Sequence, residues 1–165
     1  NYRGERLLLT AKDAPELTKL ANELASKPDP SSRVGIALTR FVSARFRERP
    51  ADRFIDLWIG LEALFSTSNG EITHRIAQRG AFFVAPEPSG REQLYLELVD
   101  SYGIRSRIVH GGNMAGMKTE KLKMPAMNML AVTEDHLRNA LRKAIGEKSW
   151  EPKTLDSKIL RGDPE

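Results

Sequence analysis

Apolar positions recur along this chain at spacings of three and four, and no stretch keeps the strict alternation of a half-buried strand. Six segments therefore read as helices. "DAPELTKLANELASK" opens with Asp13 and Glu16 at capping-box spacing and carries Leu17, Leu20, Ala21 and Leu24 on one face. Two prolines in "KPDPSS" break it. Ser31 or Ser32 then caps a second helix with the stripe Val34, Leu38, Phe41, Val42 and Phe46, closed by Pro50. "ADRFIDLWIGLEALFS" is apolar on most sides, which predicts the most buried helix of the fold. Ser68 with Glu71, and Ser89 with Glu92, are capping boxes for the fourth and fifth. The last helix, "TEDHLRNALRKAIG", takes Thr133 as its cap, Leu137 and Leu141 as its inner face and Gly146 as its stop.

Between Gly111 and Thr133 lies a run that holds all five methionines. It is expected to be a long mobile loop with one short turn packing back on the bundle, in preference to an adaptive binding surface. After Gly146 the tail is polar, with Trp150 as its anchor. The fold class is all-α: a bundle of about five to six helices with one long Met-rich loop. Residues 1–30 form an N-terminal extension with one helix, 31–146 the helical domain, and 147–165 a polar C-terminal tail.

Composition narrows the chemistry. With 165 residues, 40% of them hydrophobic and 29% charged, the chain can build one ordinary globular core. It has no cysteine, which removes disulfides, thiolate metal sites and cysteine nucleophiles. No apolar run approaches the ~18 residues that span a bilayer, and no signal-peptide pattern opens the chain. A cytoplasmic protein without a membrane partner is expected. The chain begins Asn-Tyr-Arg, which suggests a piece of a longer protein. A net charge of +4 is compatible with a polyanionic partner.

Only three histidines are present. His74 stands among charged neighbours and is expected to be exposed or hydrogen-bonded. His136 is expected in the first turn of the last helix, solvated. No two histidines share the i, i+4 spacing of a helical zinc site and no carboxylate cluster joins them, so neither metal nor cofactor is predicted.

His110 differs, because "YGIRSRIVHGG" places it at the end of a packed helix that Gly111 and Gly112 terminate. A histidine can accept or donate a proton near neutral pH, and Arg105 offers a planar fork for phosphate oxygens. The pair suits attack of an RNA 2′-hydroxyl on its own phosphate, with the cation balancing the developing charge. Five residues apart, the two side chains diverge by about 140° on an ideal helix. They converge only across a cleft, on a distorted helix end, or with a second copy of the chain. Ser106 could add a hydrogen bond to phosphate, and Arg107 could hold the backbone. Glu62, flanked by apolar groups in "WIGLEALF", either orients Arg105 or His110 or pairs with Arg75 or Arg79 for structure alone. Arg40, Arg45, Arg47, Arg49 and Arg53 form a basic run, expected as snorkelling arginines at a solvated helix end in preference to an RNA contact.

Three blocks together, "GLEALF", "HRIAQRGAFFV" and the segment Arg105 to Gly111, resemble the Apea-like branch of the HEPN superfamily in order and spacing. The resemblance covers roughly residues 33 to 146. It implies an all-α fold that dimerises so that the Arg-x4–6-His motifs of two copies line one cleft. It further implies a metal-independent endoribonuclease acting on tRNA or mRNA, as a toxin or anti-phage effector, with a sensing region ahead of this domain. Carried over, Arg105 and His110 take the catalytic positions; beside the resemblance, Ser106 and Glu62 are expected to support them and Arg107, Arg75 and Arg79 to contact RNA. Many members carry Asn, Asp or His directly after the arginine, where this chain has Ser106. The alternative is a non-catalytic dimerisation, adaptor or nucleotide-binding module.

Overall fold

Seven helices and no strand make up the described residues of the computed structural model, which are 10–25, 28–67, 73–85, 87–147 and 151–162. They are α1 (Ala14–Ala25), α2 (Arg33–Arg45), α3 (Pro50–Phe65), α4 (Thr73–Val84), α5 (Pro88–Val109), α6 (Ala126–Gly146) and α7 (Pro152–Arg161). The fold is all-α, as the periodicity predicts. None of these helices is long and apolar enough to cross a membrane. The expected boxes at Ser68 and Glu71 and the anchor Trp150 lie outside the described residues, as do the side chains of Leu20 and Leu24.

α3 is the centre of the bundle. Phe54, Leu57, Trp58, Leu61, Leu64 and Phe65 are essentially inaccessible. At roughly 1.5–3 kcal/mol for each such side chain, their burial is worth on the order of 10 kcal/mol, comparable with the net stability of a whole domain. Trp58 keeps its one polar atom satisfied by donating Nε1–H to Ser101 Oγ at 2.9 Å, and its ring meets Tyr102 edge-on at 5.2 Å. A β-carbon on Gly60 would lie 2.7 Å from Leu137 Cδ2, so α6 packs directly onto the α3 backbone there.

α2 and α3 run antiparallel. Arg33, at the start of α2, donates to the carbonyls of Ala63 and Ser66 at the far end of α3, groups that a helix terminus leaves without partners. Ser32 caps α2, its Oγ accepting from Gly35 N at 3.0 Å. The expected stripe on α2 is only half right. Val34, Leu38 and Phe41 pack against the core, but Val42 is exposed and Phe46 is 82% exposed. The small residues Ala37 and Ala44 are buried, and the Ala37 carbonyl lies 3.5 Å from where a β-carbon on Gly60 of α3 would stand, whereas Gly35 packs against the backbone of Asp29 and Pro30.

Other starts and stops also depart from the sequence pattern. Asp13 does precede α1, but Glu16 turns away to Arg142 on α6 at 2.8 Å. α5 begins at Pro88 with no side-chain cap, so Ser89 and Glu92 form no box. α6 begins at Ala126, seven residues before the expected cap, and Thr133 is a buried mid-helix residue donating to Met129 O. Nor is the Met-rich segment loose. Asp100 of α5 accepts from the backbone N–H groups of Lys121 and Leu122, Thr119 and Met124 pair across a tight turn, and Met114 and Met129 are buried. The expected polar tail contains α7, whose Pro152 and Leu155 are buried.

Buried charges tie these helices together. Asp56 on α3 is almost fully buried between Arg40 at 3.0 Å and Arg47 at 2.7 Å. Glu134 on α6 receives Arg45, Arg53 at 2.9 Å and Arg138 at 3.1 Å. Arg45, Arg47 and Arg49 are exposed, as a solvated helix end predicts, yet four of the five guanidiniums in the basic run are also paired with internal carboxylates. Glu134→Ala removes the nearly buried carboxylate that Arg45, Arg53 and Arg138 share and should cost about 3 kcal/mol or more in urea unfolding. Arg138→Ala removes a partner that is far more exposed and should cost about 1 kcal/mol or less. Equal, small losses would mean that solvent screens the whole cluster.

Candidate active site

α5 runs to Val109 and ends because Gly111 adopts the left-handed conformation, φ +86°. Gly111 N–H donates to Ile108 O at 3.0 Å and Gly112 N–H to Arg107 O at 2.8 Å, the double bond of a Schellman cap. A side chain on Gly112 would collide with Arg107 O at 2.8 Å and Met117 Cε at 2.6 Å, so glycine is required there too. His110 is the C-cap residue. It is exposed, and its side chain has no partner among the described residues.

Arg105 sits one and a half turns earlier, half-buried against α3. Its Nη2 lies 3.2 Å from Glu62 Oε1, and its guanidinium stands 5.5 Å from the Tyr102 ring centroid. The Nε is buried and unpaired. With Arg105 24% and Glu62 30% exposed, the ion pair adds modestly to stability and acts chiefly to aim the fork. Of the four partners considered for Glu62, the structure pairs it with Arg105. Among the described residues of one chain nothing joins Arg105 to His110, in keeping with their divergence on the helix.

The supporting residues separate into two groups. Ser106 is half-buried with a side chain that makes no hydrogen bond among the described residues. Arg107 is occupied: Nη2 donates to Lys118 O at 2.6 Å and Nε to Gly103 O at 3.3 Å, so it fastens the following loop to α5. Arg79 does not suit its expected RNA contact. It is 1% exposed, donating to both carboxylate oxygens of Asp156 at 2.7 Å and to Phe65 O at 2.7 Å. Its helix turns that side inward, where α7 covers it. Arg75 lies on the exposed side of α4.

The remaining histidines are structural. His74 is exposed with Nδ1 2.6 Å from Tyr95 Oη, beside a concavity of about 600 Å³ that shares no lining residue with the α5 terminus. His136 is neither solvated nor at a helix start. It lies within α6, largely buried, with Nε2 2.7 Å from Glu97 Oε2. Among the described residues no three carboxylate or imidazole side chains converge as metal ligands would.

Two contributors escape a reading of the sequence: Tyr102 under the guanidinium and Asp100 behind the loop. Asp100 carries the same signal as Glu62, an acid inside an apolar helix, and was legible by that rule. No family model matches the chain, and no curated protein or solved structure does.

Burial pushes the His136 imidazole below its usual 6.5, outweighing the attraction of Glu97, so the neutral ring donates a hydrogen bond to that carboxylate. The unfolded chain therefore takes up this proton at a higher pH than the folded one. Stability should be full above about pH 6.5 and decline as the pH falls below it. His136→Gln should flatten that limb of a stability–pH curve measured by urea unfolding. An unchanged slope would assign the proton uptake elsewhere.

Proposed function

We propose that the chain is the endoribonuclease domain implied by its likeness to the Apea-like HEPN group, with Arg105 and His110 as catalytic residues. The observation that carries this reading is the aiming of Arg105 by Glu62 and Tyr102, beside an exposed and unpartnered His110. A neutral His110 takes the proton of the RNA 2′-hydroxyl as that oxygen attacks the adjacent phosphorus. The bond from phosphorus to the 5′-oxygen breaks, and a protonated His110 returns a proton to the leaving oxygen. Arg105 balances the charge on the non-bridging oxygens through two parallel N–H donors. The products end in a 2′,3′-cyclic phosphate and a 5′-hydroxyl.

Because the two side chains diverge on one helix, the working site joins two copies, each supplying an Arg105 and a His110. Such an activity fits a toxin or an anti-phage effector acting on tRNA or mRNA. Ser106, with its hydroxyl uncommitted, is placed to add a donor to the phosphate.

Purified protein incubated with a mixed tRNA and mRNA pool in EDTA should cleave RNA, and His110→Ala should abolish cleavage without unfolding. Arg105→Lys keeps the charge but loses the fork, so cleavage should fall about 10²-fold or more at little cost in RNA affinity. Arg107→Lys should retain most activity, since its guanidinium serves the loop. Light scattering should give twice the 18.5 kDa chain mass. RNA binding without cleavage by the wild type, or equal small losses in both lysine variants, would favour the adaptor or nucleotide-binding alternative.

A further inference from the structure

Of the five arginines between residues 40 and 53, four are paired with Asp56 or Glu134. Arg49 is the exception: it is exposed, it caps α3 without a side-chain hydrogen bond, and it has no partner among the described residues. It also lines a cleft of about 500 Å³, within the range of small-ligand sites. The opposite wall of that cleft is Gly111 to Ala115, the segment that directly follows His110. Pro50, Ala51 and the half-exposed Met127 complete it, and Arg49 is the one charged residue in the lining.

We infer that this cleft receives a nucleotide neighbouring the cleaved phosphate of a single-stranded RNA, with Arg49 holding its phosphate. An exposed arginine in a lining that holds no other charge, its one other polar side chain being Asn113, has no internal use for its charge. A phosphate is the ligand that supplies both the negative charge and the acceptors. Pro50 and Met127 offer an apolar surface for the attached sugar or base. The loop that forms the wall is fastened at Arg107 and Asp100, so the cleft is held in place relative to His110. Arg49 is thus a positioning residue, and its assignment rests on the ribonuclease reading for the identity of the polyanion.

The test separates binding from cleavage. A single-stranded 2′-O-methyl RNA, which lacks the attacking hydroxyl, is titrated by fluorescence anisotropy at several salt concentrations, and the unmodified RNA is used for rates. Arg49→Gln should bind several-fold more weakly and lower the salt slope by about 0.7, the share of one phosphate contact on a single strand. It should raise KM and leave kcat near the wild-type value. Arg49→Lys should keep most of the affinity. Lys153→Gln removes one positive charge from α7, away from the cleft lining, and should bind as the wild type does. If Arg49→Gln binds like the wild type, or no worse than Lys153→Gln, the assignment of Arg49 is overturned whatever the cleavage result. If the wild type binds the oligonucleotide, Arg49→Gln weakens it, and no RNA is cleaved, the ribonuclease reading fails and the Arg49 site stands. A wild type that does not bind the oligonucleotide overturns both.

Discussion

A carboxylate taken out of water must be met by cations or donors, and in this chain that constraint decides how the helices are joined. Asp56, Asp100 and Glu134 are almost fully buried, on three different helices. Two arginines converge on Asp56, three on Glu134, and two backbone N–H groups on Asp100. The Glu134 cluster joins α6 to arginines 81 and 89 residues away, while Asp56 and Asp100 each tie a helix to its neighbour along the chain, and each fixes a relative placement that apolar packing would leave free to slide. The apolar interior of α3 supplies the driving force, and the carboxylates supply the register.

Arginine use follows from the same constraint. Arg79 is consumed by the fold, buried between Asp156 and the Phe65 carbonyl, and through it α7 is fastened to α4. Among the described residues Arg105 meets one carboxylate and lies over the Tyr102 ring, and it remains a quarter exposed. The first is held too tightly to meet a ligand; the second is oriented and still reachable. Arg49 meets no carboxylate among the described residues. These three environments distinguish residues that composition counts alike.

The terminus of α5 is equally constrained. The Schellman cap turns the chain at Gly111, Arg107 holds the returning loop at Lys118, and Asp100 holds it again three and four residues later. A histidine on the rim of such a turn keeps a defined position without being buried. The proton exchange proposed for His110 calls for that combination of order and access.

The amino-acid sequence by itself determined what depends on neighbours along the chain. The helical periodicity, the burial of α3, the Ser32 cap and the glycine stop after His110 are all local, because backbone dihedrals and helix faces are set within a few residues. Glu62 could be marked as needing a partner, since an acid among apolar residues is costly anywhere. Which arginine would answer it was a tertiary decision, as were the burial of Arg79, the enclosure of His136 and the freedom of Arg49. So were the early start of α6 at Ala126 and the docking of α7, both drawn in by packing against helices distant in sequence. Pairing across helices depends on proximity that only the assembled bundle creates, and charge in a low-dielectric interior makes the choice among otherwise equivalent arginines decisive.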